Sequence, residues 1–142
     1  MRIILDANQF VSAVLVPVGH PAQILQAWRT DQFDLVVSPA IVAEIRRVLL
    51  YAHLQEKHGW NKGQVNEFLA GIVDAAIIVP GEVDVRAVPD DPTDDKYVAC
   101  ALEGNAEYIV SGDEHLKRLG SYRGIEVVAP SEFLDLLAKI PG

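Results

Sequence analysis

Short aliphatic runs, separated by longer stretches with helical spacing, make up most of the chain. The runs cover residues 3–5, 35–37, 77–79, 108–110 and 125–128 and are nearly free of polar positions. Strands that are covered on both faces have this apolar character, whereas half-exposed strands alternate apolar and polar positions. Because the strands alternate with helices, we expect right-handed crossovers and a parallel sheet. The pattern predicts a three-layer α/β/α sandwich with a central parallel sheet of about five strands.

The intervening stretches carry apolar residues three and four positions apart, which predicts helices. Ser38 and Pro39 suit a helix start, and Gly104 with Asn105 suits a helix end. The segment around 50–75 is predicted to be a helical excursion that projects from the sandwich and leads from the second strand to the third. The predicted helices span residues 22–28, 39–50, 63–74 and 93 or 94 to 104, with two shorter ones after Asp113 and Pro130.

The composition suits a single domain. Half of the 142 residues are hydrophobic, so a sizeable core needs no disulfide or metal to hold it. No linker or repeat divides the chain, and we predict one domain over residues 1–142. The lone Cys100 cannot form an intramolecular disulfide, which favours a reducing compartment. Since no apolar run reaches the roughly 18 residues of a membrane span and no signal peptide is recognised, we expect a cytoplasmic protein without membrane contact.

The net charge of −8 is concentrated in the second half of the chain. Residues 72–142 hold fourteen acidic and six basic side chains, whereas residues 1–71 hold six of each. The densest acidic stretch, 82–95, is explained either as a solvated loop or as part of a cation-binding site. An acidic protein is not an obvious nucleic-acid binder, because such proteins usually carry a basic surface. That objection applies unless cations bind at the acidic site.

Acidic residues occur where the predicted strands end. Asp6 ends the first strand, and Asp113 follows the fourth. Glu44 shares the core-facing stripe of the helix after the second strand, and Asp95 lies in the first turn of the helix before the fourth. In parallel sheets, ligands usually bind at the edge where the strands end. Each of these side chains is also explained as a helix cap or a partner of a basic residue, but a buried carboxylate such as Asp6 needs a partner or a cation.

Four carboxylates gathered at one edge cannot all stay ionised unless positive charge lies between them. Carboxylate oxygens are the ligands that Mg2+ and Mn2+ prefer, so one or two such ions are predicted. A bound divalent ion lowers the pKa of water and neutralises phosphoryl oxygens, which makes phosphodiester hydrolysis the expected reaction. Asn8 and Ser111 lie beside Asp6 and Asp113 and are candidates to orient a ligand, although turn or backbone-bonding roles explain them equally well.

Four segments together resemble the acidic motifs of a PIN domain. They are I-I-L-D-A-N-Q-F-V-S-A, S-P-A-I-V-A-E-I, D-P-T-D-D-K-Y-V-A-C-A-L and Y-I-V-S-G-D-E-H-L. The closing segment, I-E-V-V-A-P-S-E-F-L, is similar to the end of the VapC-like toxins. The resemblance implies a metal-dependent ribonuclease with five parallel strands in the order 3-2-1-4-5. It also implies that the catalytic and metal-binding acids are Asp6, Glu44, Asp95 and Asp113.

The third motif offers more than one carboxylate. We prefer Asp95 over Asp91 and Asp94, because its spacing to residues 97–99 fits the motif. Many members of the family carry threonine where this chain has Ser111, which keeps the hydroxyl. The resemblance also implies that Glu44 or Asp95 orients the attacking water as a general base.

The same resemblance implies an RNA substrate. Metal ions would bind a phosphate at the acidic site, and basic residues would hold the rest of the strand. A VapC-like toxin would pair with a small antitoxin protein that covers the site, and a homodimer through the helical segment is a further expectation. The RNA-binding candidates, each of which is also explained as a solvated surface residue, are Arg46, Arg47, Lys57 and Lys62.

Two other functions fit parts of the pattern. Phosphatases of the haloacid-dehalogenase type place an aspartate at the end of the first strand and form an aspartyl phosphate. They carry a second aspartate two residues later, where this chain has Asn8. A catalytically idle module that binds a protein partner would need no metal, and it has no evident reason to gather four carboxylates.

Overall fold

The computed structural model describes residues 1–140 and contains a six-stranded sheet with helices on both sides. The predicted three-layer α/β/α sandwich is therefore confirmed. The predicted domain span also includes residues 141 and 142, which lie outside the described residues. The strands are β1 (Arg2–Leu5), β2 (Asp34–Val37), β3 (Ile77–Ile78), β4 (Tyr108–Val110), β5 (Ser121–Tyr122) and β6 (Ile125–Val128).

Five of the six strands are parallel and follow the predicted order. The sheet runs β3-β2-β1-β4-β6-β5, so β6 is the fifth strand of the prediction. The edge strand β5 pairs antiparallel with β6 and was not predicted. Its two residues are too few to give a periodic signal. The turn between them consists of Arg123 and Gly124, whose φ angles of 49° and 84° are those of a tight hairpin.

The helices begin and end at residues whose chemistry suits those positions. Ser38 caps α3 by accepting a hydrogen bond from the Ile41 N–H, and Asn105 ends α6 in the left-handed conformation. The α-helices are α1 (Ala7–Leu15), α2 (His20–Arg29), α3 (Pro39–Leu49), α4 (Ala52–His58), α5 (Lys62–Ala75), α6 (Asp95–Gly104), α7 (Glu114–Leu119) and α8 (Pro130–Ala138).

Within residues 1–140 no single helix is long and apolar enough to cross a membrane. Helices α1 and α2 reach the required length and composition only when taken together, and they meet at an angle of 100°.

Helix α1 was missed by the sequence prediction because it follows β1 without a loop. Asp6 lies between the two elements and caps the helix by accepting a hydrogen bond from the Asn8 N–H. Phe10 and Val11 are buried in the core. Asp6 and Asn8 lie directly after a strand, a pattern that predicts a turn. An aspartate is, however, also a good helix cap.

The segment around 50–75 consists of α4 and α5. Helix α4 has no buried residue and contacts α1 and α3. Helix α5 contacts α3 and buries Val65, Leu69 and Ile72. The expectation that this segment projects from the sandwich stays a prediction.

Helix α6, which carries the third acidic motif, is held tightly against the sheet. It contacts β1, β2 and β4. At Gly104 the approach is so close that a Cβ atom would lie 2.6 Å from Cγ1 of Val36. This contact fixes the helix on the sheet and so determines where the carboxylates at its start lie.

Candidate metal centre

The register of the central strands brings Asp6 and Ser111 together. Leu5 of β1 lies opposite Val110 of β4, so the next residue of each strand emerges at the same edge of the sheet. The Asp6 N–H donates to the Val110 carbonyl at 3.1 Å. The Ser111 hydroxyl donates to Oδ2 of Asp6 at 2.6 Å. Two of the predicted site residues are thus in direct contact.

The Asp6 carboxylate is almost completely buried, with 2% of the residue exposed. Its second oxygen, Oδ1, accepts a hydrogen bond from the Asn8 N–H at 3.0 Å. Burial raises the pKa of Asp6 above its ordinary value, the hydrogen bonds from Ser111 and Asn8 lower it, and the charges of Glu44 and Asp113 raise it further. A cation would stabilise this carboxylate.

Asn8 reaches the site through its backbone. Its N–H contacts Asp6, whereas the residue itself is exposed. The N-cap of α1 is therefore Asp6, and Asn8 supplies the backbone N–H that this cap binds. The orienting role of the Asn8 carboxamide stays a prediction.

Glu44 reaches the site from α3 and is held by α6. The Tyr97 hydroxyl donates to Oε2 of Glu44 and also accepts a hydrogen bond from the Ala7 N–H at 3.3 Å. Oε1 of Glu44 lies 3.2 Å from the Lys96 ammonium and 3.7 Å from the Arg47 guanidinium. The tyrosine therefore ties Glu44 to the residue that follows Asp6 in the chain.

Tyr97 is buried, with 1% of the residue exposed, and stays protonated. Burial raises its pKa well above the ordinary value, and the charges of Asp6 and Glu44 act in the same direction. A neutral hydroxyl can donate to a carboxylate and accept from a backbone N–H at the same time. Tyr97 is thus a positioning residue for Glu44.

Asp113 combines a cap with a place in the site. Its Oδ1 accepts hydrogen bonds from the His115 and Leu116 N–H groups at 2.9 and 3.1 Å, which caps α7. Its own N–H donates to the Ser111 hydroxyl at 2.9 Å. The negative charge of Asp113 also acts on Asp6. The capping explanation is confirmed, and the role of Asp113 as a metal ligand, for which its second oxygen is available, stays a prediction.

Asp95 makes backbone hydrogen bonds to the loop before α6, and its place among the metal ligands stays a prediction. Its Oδ1 accepts from the Ala87 and Val88 N–H groups at 2.9 and 2.8 Å. The Asp95 carboxylate therefore holds the loop that leads into α6. The sequence could not separate it from Asp94, because a 3-10 turn at Pro92–Asp94 precedes the helix and changes the direction in which the side chains point.

Asp94 is the carboxylate of this motif that lies with the other acids. The residue is 8% exposed. Burial raises the pKa of Asp94 to about 7, and the charges of Asp113, Asp91 and Asp6 contribute in that order. An aspartate with this pKa is about half protonated at neutral pH unless a cation binds it.

The donor set fits a hard divalent cation. Oδ2 of Asp94 is buried and has no hydrogen-bond partner among the described residues. The carboxylates that follow β1, lie on α3, end the turn before α6 and cap α7 act on one another through their charges. Mg2+ and Mn2+ prefer such oxygen ligands. One or two ions would be held by Asp6, Glu44, Asp94 and Asp113.

Sequence reasoning missed three further side chains at this edge. Tyr97 and Lys96 lie within the third motif and contact Glu44, while His115 lies two residues after Asp113 and 3.8 Å from Asp91. The available signal for Tyr97 was its position three residues after Asp94 on a helix, which places both on one face. Lys96 and His115 gave no comparable signal.

The predicted RNA-binding residues lie on α3, α4 and α5. Arg46 donates from Nε to Oδ1 of Asn66 at 3.0 Å, and Arg47 lies beside Glu44. Lys57 and Lys62 are exposed at the end of α4 and the start of α5. Of these four basic residues, Arg47 is the one that contacts a site acid among the described residues. The RNA-binding role of all four stays a prediction.

A model of the PIN domain family matches residues 2–115 of the chain. The chain belongs to the PIN domain family. PIN domains are usually metal-dependent nucleases, which agrees with the acids gathered at the end of the sheet. A similar protein, described as uncharacterized, occurs in Methanocaldococcus jannaschii; it is 26% identical over 147 residues, which cover 98% of this chain and 93% of the relative.

Proposed function

We propose that this PIN domain is a metal-dependent endoribonuclease. The observation that carries the proposal is the convergence of Asp6, Glu44, Asp94 and Asp113, which come from four separate segments and meet at the carboxyl edge of the sheet. The raised pKa values of Asp6 and Asp94 support it, because burial and neighbouring carboxylates disfavour the charged forms, which a bound cation would stabilise.

Each residue has a defined task in the proposed reaction. The four acids would hold one or two Mg2+ or Mn2+ ions, which supply positive charge to the phosphate and lower the pKa of water. Ser111 orients Asp6 and the Tyr97 hydroxyl orients Glu44. Lys96, next to Glu44, is available to contact a non-bridging phosphate oxygen.

Single-stranded RNA is the proposed substrate. The exposed side chains of Lys57 and Lys62 would contact RNA phosphates that lie away from the four acids. Arg46 and Arg47 would do the same. Each phosphate contact that they make would steepen the dependence of RNA binding on salt. Asp95 would act indirectly by holding the loop around Ala87 and Val88.

We further propose that the ribonuclease is the toxin of a toxin-antitoxin pair. A guanidinium fits between crowded carboxylates, so an antitoxin could silence the site with an arginine. The proposal expects a short open reading frame next to the gene. Its product should co-purify with this chain and restore growth that expression of the chain alone stops. Co-purification would also show whether the toxin is a homodimer.

Residue 8 weighs against the phosphatase alternative. Phosphatases of that type carry a second aspartate two residues after the first, whereas this chain has Asn8 there. The Asn8 N–H donates to Oδ1 of Asp6. Labelled phosphate that stays covalently attached to Asp6 would favour the phosphatase, and absence of Mn2+ binding would favour the idle module.

Cleavage of assorted RNA oligonucleotides tests the proposal. The wild-type chain should cut single-stranded RNA with Mg2+ or Mn2+ and should stop when the metal is chelated. Asp6→Asn should lower the rate by about a hundredfold or more, the size expected when a charged contribution to the transition state is removed. Asp34→Asn is the matched control, because Asp34 is exposed at the opposite end of a strand. Equal cleavage by both variants would contradict the assignment.

A further inference from the structure

Beside the four acids lies a second group of metal-ligating side chains. Asp91, Asp94 and His115 each offer one ligand atom, and these atoms all lie within 4.8 Å of one another. Asp91 caps the 3-10 turn before α6 through Oδ1, which accepts from the Thr93 N–H at 3.2 Å. Its Oδ2 faces the His115 ring. The group is thus built from two segments that are distant in the chain.

Two atoms of this group are buried without hydrogen-bond partners among the described residues. They are Oδ2 of Asp94 and Nδ1 of His115. Asp94 is 8% exposed, so its unpartnered oxygen costs folding free energy unless something binds it. The His115 Nδ1 lies 3.8 Å from Oδ2 of Asp91, which is too far for a hydrogen bond.

The spacing suits ligands of one ion. Ligand atoms about 2.0–2.2 Å from a metal lie about 3–4 Å from one another, and the 3.8 Å between Nδ1 of His115 and Oδ2 of Asp91 lies in that range. Two cations near the group have carboxylate partners outside it, since Lys96 pairs with Glu44 and Arg118 donates to Asp90. The Thr93 hydroxyl and, to a smaller extent, the charges of His115 and Lys96 lower the pKa of Asp91. A bound ion would add positive charge at the buried oxygen of Asp94.

We propose that Asp91, Asp94 and His115 form a second divalent-cation subsite that prefers a transition-metal ion such as Mn2+ to Mg2+. The imidazole decides the preference, because nitrogen ligands favour transition metals while Mg2+ favours oxygen and water. Asp94 is shared between this subsite and the four acids. The inference rests on the proposed function and deepens it, because the subsite borders the four acids on which that function depends.

Binding of Mn2+, measured by calorimetry and by pulsed electron paramagnetic resonance, tests the subsite without an activity assay. The wild-type spectrum should show modulation from an imidazole nitrogen on Mn2+. His115→Ala should remove that modulation and weaken Mn2+ binding at one site by at least about tenfold. Mg2+ binding should change little. Asp91→Asn, which keeps the acceptor for Thr93, should weaken Mn2+ binding in the same way.

His20→Ala is the matched control, because His20 is an exposed histidine at the start of α2. Retained nitrogen modulation in His115→Ala, or equal Mn2+ affinity in His115→Ala and His20→Ala, would overturn the subsite. RNA cleavage is followed on the same proteins. His115-dependent Mn2+ binding without any RNA cleavage would support the subsite and contradict the nuclease. RNA cleavage together with Mn2+ binding that does not depend on His115 would support the nuclease and contradict the subsite.

Discussion

At the scale of single residues, Asp94 makes the stability of the metal-free protein depend on pH. Its pKa is raised from the ordinary 3.8 to about 7 by burial and by the charges of Asp113, Asp91 and Asp6. A carboxyl whose pKa is higher in the folded state binds its proton more tightly there, so the folded state loses stability as pH rises from about 4 to 7. With the metal chelated, the denaturation midpoint should fall across this range.

Asp94→Asn provides the control for this pH dependence. An amide does not titrate, so the variant should lose less stability between pH 4 and 7 than the wild type. Urea denaturation at several pH values measures the difference. Identical pH profiles for the two proteins would show that Asp94 is not the titrating group.

The Tyr97 hydroxyl supports a second prediction at the residue scale. Tyr97→Phe removes the donor to Glu44 and leaves the buried Ala7 N–H without its acceptor. The free energy of unfolding should fall by about 1–3 kcal/mol, and Mn2+ affinity should fall because Oε2 of Glu44 loses the hydroxyl that orients it. Tyr108→Phe, which removes a hydroxyl from a ring that packs on Phe133, is the comparison. Equal effects of the two substitutions would contradict the positioning role.

The sequence could place most of the candidate acids at the carboxyl edge of the sheet because they lie at recognisable positions of strands and helices. Asp6 and Asp113 stand directly after strands, and Glu44 lies on a core-facing stripe. Asp94 and Asp95 could not be separated in this way, because they are adjacent and one 3-10 turn decides which of them faces the site. The contact of His115 with Asp91 depends on tertiary structure and leaves no trace in a motif.

At the scale of elements, the contact between α6 and β2 fixes the third motif. Gly104→Ala would place a Cβ atom 2.6 Å from Cγ1 of Val36, so helix or strand must shift. The expected loss of stability is about 1–3 kcal/mol, as for other overpacked cores. Thermal unfolding and Mn2+ titration of the variant measure both the loss and any displacement of the acids.

Gly71→Ala is the matched substitution in α5. Gly71 is exposed and a Cβ atom there would meet nothing within 4 Å. Because alanine favours helices over glycine, this variant should be as stable as the wild type or up to about 1 kcal/mol more stable. If Gly104→Ala were equally harmless, the close packing of α6 would not matter for the fold.

The elements that the sequence predicted are those with a clear apolar pattern and a recognisable boundary. The parallel strands and helices α2, α3, α5 and α6 are of this kind, and Ser38 and Asn105 indicated two of the ends. Helix α1 was missed because Asp6 serves both as strand end and as helix cap. Strand β5 was missed because two residues carry no periodicity.

At the scale of the whole molecule, metal binding should stabilise the fold. An ion at a hundred times its dissociation constant adds about 2.7 kcal/mol when it binds only the folded chain. For a chain of this length the melting temperature should rise by about 5–10 °C. Asp34→Asn should gain as much as the wild type, whereas Asp6→Asn should gain little. A rise of the same size in Asp6→Asn would place the ion elsewhere.

The most direct measurement of the central claim compares two adjacent aspartates in metal-dependent cleavage of single-stranded RNA. Asp94→Asn removes a carboxylate from the acidic site, while Asp95→Asn keeps an acceptor for the N–H groups of Ala87 and Val88. Asp94→Asn should lose cleavage by about a hundredfold or more, and Asp95→Asn should remain within a few-fold of the wild type. Full activity of Asp94→Asn, or loss of activity in Asp95→Asn with its fold intact, would contradict the account.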